Sequence, residues 1–247
     1  MKAAPAVQLR LLDLQAIDTA RNQLAHRRAT LPELAELVRL GEEAGSADAG
    51  LTSVRERIGE LDGKIRTLER EVDSVRGRTQ RDIARMDAGS VTSARELESM
   101  QHEVRTLAAK QSELEDRELE LMEQREIVAV ELDTAAGLLQ RLRADHAAAV
   151  ARRDVAYGQI DIDDARYAAE RAELVAQLPA ELVELYERLR ATYGGVGAAA
   201  LRAKRCQGCR LELFGTALVD LAAAPEDDVV RCDECGRILV RTSESGL

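Results

Sequence analysis

The sequence predicts a mainly α fold, a long antiparallel coiled-coil hairpin followed by a small C-terminal β element. Three observations carry this expectation. Aromatic residues are 2% of the chain, with one Phe and no Trp, while charged residues are 32%. A chain so poor in bulky side chains suits helices that bury a narrow seam rather than a broad core. Two long stretches place apolar residues at alternating steps of three and four, and all four cysteines fall in the last 42 residues.

The first helical stretch runs from Pro5 to Met86, with two weak points. At Leu31-Pro32 the proline lacks the N–H of a continuing helix. Between Gly41 and Gly50 three glycines loosen the pattern, and a kink or a break is open at either place. After Gly50 the pattern sharpens: Val54, Ile58, Leu61, Ile65, Leu68, Val72 and Val75 trace a heptad seam. Asp87-Ala88-Gly89-Ser90 reads as a turn, and Ser93 with Glu96 as a capping box that starts the return helix. A second seam follows through Leu97, Met100, Val104, Leu107, Leu114, Leu121, Val128, Leu132, Ala135, Leu139, Leu142 and Ala149. Gln111, Glu118, Arg125 and His146 share its frame, as polar residues that fix register at some cost in stability. A short connection makes such helices antiparallel neighbours, with arms of roughly 120 Å if straight. The tip is expected near 87–92, and residues near 10–30 should meet residues near 150–175.

Pro179 suits the first turn of a further helix, whose apolar face is Leu182, Leu185, Tyr186 and Leu189. Gly194-Gly195-Val196-Gly197 ends it and reads as a hinge. The expected organisation is therefore a hairpin over 1–177, a connecting helix and hinge over 178–197, and a small ribbon over 198–247.

Cys206-Gln-Gly-Cys209 and Cys232-Asp-Glu-Cys235 are separated by 22 residues. A two-residue gap lets one tight turn present two thiolates, and four soft ligands close a tetrahedral shell around Zn²⁺. Gly208 and Gly236 stand where such turns call for positive φ. Val229-Val230 and Ile238-Leu239-Val240 read as short strands beside the second pair. The site residues expected for one structural zinc are Cys206, Cys209, Cys232 and Cys235. Iron suits the same sulfur cage, two disulfides or a redox pair fit the pattern less well, and a closed shell leaves no open position for catalytic zinc.

The chain resembles the bacterial coiled-coil plus C4-type zinc-ribbon domain proteins. The resemblance rests on the helical hairpin, the segment Arg95 to Val104 after the turn, Tyr186-Glu187-Arg188-Leu189-Arg190, and the ribbon ending Cys232 to Leu239. It implies a non-enzymatic protein whose relatives are implicated in binding RNA or protein partners and in regulation.

Charge and the remaining motifs set the functional expectations. The net charge is −10, and the last 54 residues contribute −1 of it. Neither part has the positive balance that drives phosphate-backbone binding, so a nucleic-acid contact needs a local patch. Lys204, Arg205, Arg210 and Arg237, beside the cysteine pairs, are the candidate patch. Phe214 reads as the aromatic plug of the ribbon core, although it could stack a base; Tyr186 and Tyr193 read as packing where the last helix meets the ribbon. Asp161, Asp163 and Asp164 read as a charged helix face. No apolar run approaches the ~20 residues of a membrane span, and the N-terminus is too polar for a signal peptide, which points to the cytoplasm. The expected function is a non-enzymatic adaptor or scaffold presenting a zinc-ribbon head to a protein partner; the alternative is an RNA- or DNA-binding regulator. Homo-oligomerisation is left open by the seams.

Overall fold

The computed structural model describes residues 1–247. Five helices and a three-stranded sheet follow in the order α1 (Pro5–Ala29), α2 (Pro32–Asp87), α3 (Ala94–Ala176), α4 (Ala180–Thr192), β1 (Ala198–Arg202), β2 (Arg205–Cys206), α5 (Gly215–Ala223) and β3 (Ile238–Val240). They pack into two compact units, one of residues 35–150 and one of residues 1–34 with 151–247. The boundaries drawn from sequence at 177 and 197 both fall inside the second of these.

The two weak points of the first stretch behave differently. Helix α1 starts on Pro5 and ends in His26, Arg27 and Arg28, and the two arginine cations suit the negative end of the helix dipole. Thr30 closes it, donating from its amide and its hydroxyl to the His26 carbonyl. Pro32 then opens α2, where its missing N–H costs nothing. Gly41, Gly45 and Gly50 do not interrupt α2 at all. Leu40 and Leu51, about three turns apart, are both buried, and this burial holds the intervening helix against its low intrinsic propensity.

In the 35–150 unit α2 and α3 run antiparallel. Ion pairs record the register: Asp48–Arg143 at 3.0 Å, Arg57–Glu131 at 2.6 Å, Asp62–Arg125 at 2.8 Å, Arg76–Glu115 at 3.3 Å and Arg85–Glu96 at 3.5 Å. Partner numbers fall along α3 as they rise along α2. Each pair is exposed and worth little by itself; the apolar seam carries the association. Every apolar position of the expected seams is buried or half-buried except Leu97, beside the tip. Leu68, Val72 and Leu114 form the buried centre, flanked by Val75 and Leu121. Of the polar seam positions, Gln111, Glu118 and His146 are half-buried, whereas Arg125 turns out to Asp62.

At the tip Gly89 adopts φ +63° and Ser90 Oγ donates to the Arg85 carbonyl at 2.7 Å. The expected capping box is not made. The Ser93 carbonyl accepts the first helical hydrogen bond, from Leu97, but Glu96 reaches across to Arg85 instead of back to the chain start.

In the other unit the core joins Leu11 and Leu14 of α1, Leu174 of α3, Leu182, Tyr186 and Leu189 of α4, and Ala198, Ile238 and Val240 of the sheet. Arg21–Asp164 and Arg28–Asp161 bring α1 against the end of α3, as the hairpin reading requires. The sheet order is β2-β1-β3, with β1 antiparallel to β2 and parallel to β3. Ala203 and Lys204 join β1 to β2 at φ 45° and 60°, a two-residue turn with both centres left-handed. The chain tail holds this turn, since Ala203 and Lys204 donate to the carbonyls of Glu244 and Ser245 at 2.7 Å. Two features here were not foreseen. Helix α5 interrupts the ribbon, with Leu218 and Leu221 turned into its core. The first residues of the chain line the ribbon too, Lys2 bridging Asp228 and Ala3 donating to the Asp227 carbonyl.

Candidate metal centre

The two cysteine pairs sit in turns with the same hydrogen bonds. In the first, Arg210 N–H donates to the Cys206 carbonyl at 2.7 Å and Cys206 N–H to the Leu211 carbonyl at 3.0 Å. In the second, Gly236 N–H donates to Cys232 at 2.7 Å and Cys232 N–H to Arg237 at 2.9 Å. The fifth residue of each turn is left-handed: Gly236 at φ +73°, as expected, but Arg210 at φ +64° in place of Gly208. Gly208 is required for a different reason. A Cβ there would lie 2.9 Å from Arg237 Cδ and 3.0 Å from Ala199 Cβ.

These turns place the four Sγ atoms within 4.8 Å of one another. Cys206 and Cys235 are 3.9 Å apart, and Cys209 and Cys232 are 4.0 Å apart. Four sulfurs at the zinc–thiolate distance of about 2.3 Å form a tetrahedron with edges of about 3.8 Å. The cage therefore has the dimensions of a Zn(Cys)₄ site, and its sulfur spacing is nearly twice that of a disulfide. Backbone amides of Gly208 and Cys209 aim at Cys206, and those of Glu234 and Cys235 at Cys232. Burial pushes the Cys206 thiol up and the Cys232 thiol up to about 12, because an uncompensated buried thiolate is costly. At Cys235 burial acts in the same direction, but hydrogen bonds from the amide and side chain of Arg237 and from Cys232 and Cys209 together outweigh it and bring the thiol down to about 7. A divalent cation supplies the missing counter-charge, and the donor set fits one structural zinc.

The cationic residues of the expected nucleic-acid patch separate into two groups. Lys204, Arg205 and Arg210 are exposed around the first turn. Arg237 is half-buried and engaged: it donates to the carbonyls of Val196 at 3.0 Å and Tyr193 at 2.9 Å and lies over the Tyr193 ring. It closes the C-terminal end of α4 and offers no free guanidinium to a phosphate. Phe214 is also placed differently from the expectation. It is 70% exposed, and Leu211 and Val219 nearby in the chain are exposed too, while Leu213 fills the ribbon core. Phe214 is not the plug because Leu213, whose amide donates to the Lys204 carbonyl at 2.8 Å, takes the inward position instead.

A buried polar network, which the sequence did not disclose, holds the sheet to the helices. Asp18 is fully buried and accepts hydrogen bonds from Arg171 Nε at 2.8 Å and the Tyr186 hydroxyl at 2.8 Å, and Arg190 Nε stands 3.3 Å away as an ion pair without a hydrogen bond. Gln15 accepts from Gly197 N–H at 2.8 Å and donates to the Gly195 carbonyl at 3.0 Å. The glycines read as a hinge are thus tied down, and Gly197 is demanded by packing, since a Cβ would meet the Tyr186 carbonyl at 2.6 Å. One signal existed: Gln15 and Asp18 interrupt the apolar face formed by Leu11 and Leu14 on α1.

Comparison with known proteins agrees with this architecture. Residues 14–194 match the CT398-like coiled-coil hairpin domain and residues 205–239 a C4-type zinc ribbon domain. An uncharacterized protein of Mycobacterium tuberculosis is 40% identical over 241 residues, covering 98% of each chain. One of Mycobacterium leprae is 30% identical over 225 residues, covering 91% of this chain and 96% of its own. A solved structure from Mycobacterium smegmatis superposes with a TM-score of 0.88 at 36% identity, covering 98% of this chain and 100% of that one. CT398 of Chlamydia trachomatis shares the fold at a TM-score of 0.67 and 17% identity, over 96% and 98% of the two chains. No helix is long and apolar enough to cross a membrane. The chain belongs to the CT398-like family of coiled-coil hairpin proteins that end in a C4-type zinc ribbon.

Proposed function

We propose that this protein is a non-enzymatic adaptor whose ribbon is a recognition head for a protein partner and whose coiled coil is its arm. One observation carries the reading: the ribbon exposes Leu211, Phe214 and Val219, three large apolar side chains within nine residues. Soluble surfaces pay for such exposure, and concentrated apolar side chains of this kind mark contact sites. The metal does not compete for the role, since four thiolates close its shell to a substrate. The test is a photoreactive phenylalanine analogue at position 214, used in the native cell. A discrete protein adduct that disappears when Leu211→Ser and Val219→Ser are added supports the reading. Adducts to RNA alone, or none, overturn it.

A second reading has an observation of its own. Lys204, Arg205 and Arg210 are exposed beside Phe214 in the chain and make no ion pair. Three cations without ion pairs, in the same ribbon segment as an exposed aromatic side chain, suit a phosphate backbone with a stacked base. Under this reading, replacing the three by Ala weakens binding to a mixed RNA and DNA pool and flattens its salt slope.

A further inference from the structure

Helix α3 carries two apolar stripes along its middle. Leu114, Leu121, Val128 and Leu139 form the inner one and are buried or half-buried in the hairpin seam. About half a turn away lie Leu119, Ile127, Val130 and Leu138, which are 58%, 64%, 68% and 45% exposed. At about 100° per residue these four fall within an arc of roughly 100°, the width of a helix-packing face. Nothing in the chain covers them.

Their spacing is eight, three and eight residues, the same read in either direction. A palindromic spacing on a straight element is what a two-fold contact requires, because residue i must meet j while j meets i. We propose that two copies of this chain associate through this outer face of α3, antiparallel, about a two-fold axis between residues 128 and 129. Leu119 then packs on Leu138 of the second copy, and Ile127 on Val130 of the second copy.

The charges agree with this axis. Asp116 and Arg141 flank the stripe, both are exposed, and neither has an ion pair in its own chain. The axis that pairs the apolar residues sets Asp116 of each copy against Arg141 of the other. Glu123, on the same face, meets Thr134, a small uncharged side chain whose hydroxyl donates to the Val130 carbonyl at 2.8 Å, so no like charge opposes it. The like-charged pair that the axis creates, Glu126 with Glu131, lies at the edge, and Glu131 is already held by Arg57 at 2.6 Å. Covering the stripe on both copies removes roughly 1,000 Å² from water, the lower bound for a specific interface. The association is therefore weak and reversible. Each chain carries −10, so added salt screens the mutual repulsion and tightens it.

Sedimentation equilibrium of the zinc-loaded full chain tests the proposal. The expected result is a monomer–dimer equilibrium that strengthens with salt. Ile127→Glu with Val130→Glu weakens association on the order of 100-fold. Asp116→Arg and Arg141→Asp each weaken it about tenfold, and the double swap restores it to within about threefold, since only the facing pair changes sign. Helical circular dichroism is unchanged throughout, because every substituted side chain points away from the seam. A monomer at all concentrations to about 0.5 mM overturns the proposal. So does a dimer indifferent to the Ile127 and Val130 changes, or a double swap that fails to restore.

Discussion

Replacing Asp18 by Ala should be among the most damaging single changes outside the metal cage. The carboxylate is fully buried and joins α1 to α3 through Arg171 and to α4 through Tyr186 and Arg190. Removing one partner of a buried ion pair costs about 3–5 kcal/mol, because the remaining charge stays desolvated and unpaired. Arg171 and Arg190 keep 20% and 26% of their side-chain surface in water, and Arg171 and Arg190 both retain Glu187. Water and Glu187 therefore absorb part of the loss, and the expected cost is about 3 kcal/mol, near the lower end of that range. For a chain of this size that corresponds to a fall in Tm of roughly 6–12 °C for the unit containing the ribbon. Tyrosine fluorescence is the suitable probe, since there is no Trp and Tyr186 lies in the network itself. Urea titration by that signal should show a lower midpoint with an unchanged slope. The partner change Tyr186→Phe should be non-additive with Asp18→Ala, with a coupling of about 1.5–3 kcal/mol for a hydrogen bond to a charged acceptor. A loss below about 0.5 kcal/mol for Asp18→Ala, or strict additivity, would refute the assignment of this carboxylate as the tie between the three helices.

Three further outcomes follow from the same structure. Cys232→Ser should reduce bound zinc from about one per chain to near zero by metal analysis and expose the ribbon to protease while leaving most helical signal, because so small a core does not fold by apolar burial alone. Burial, then the Asp18 hydrogen bond, raises the Tyr186 hydroxyl pKa above its ordinary 10.0. The unfolded chain thus loses this proton first, stability is full below pH 10 and declines as pH rises beyond it, and Tyr186→Phe should show a shallower alkaline decline in denaturant midpoint than the parent. Gly45→Ala should stabilise the coiled coil by about 1 kcal/mol in thermal unfolding, since the position is exposed, helical and has nothing within 4 Å of a new Cβ.

The parts of this protein legible in the sequence are those fixed by local periodicity and local turn chemistry. Heptads at Val54 to Val75 and Leu97 to Ala149 named the buried seam almost residue by residue, because a helix converts spacing directly into a face. Two Cys-x-x-Cys pairs named the metal ligands, because a two-residue gap fixes how two sulfurs can be presented. Whether Gly41 to Gly50 broke the helix was not decidable locally: the answer depended on Leu40 and Leu51 both being buried in the folded chain. Long-range placement was likewise invisible. Asp18, Gln15 and Arg171 look like ordinary polar residues of an amphipathic helix until α1, α3 and α4 converge on them. Arg237 looks like a free cation until the Tyr193 and Val196 carbonyls that follow α4 arrive beside it, and Phe214 looks like a core residue until Leu213 has taken the inward position. In each case the sequence specified the chemical group, and only the tertiary structure decided its partner, because desolvation and hydrogen bonding depend on which distant segments exclude water from it.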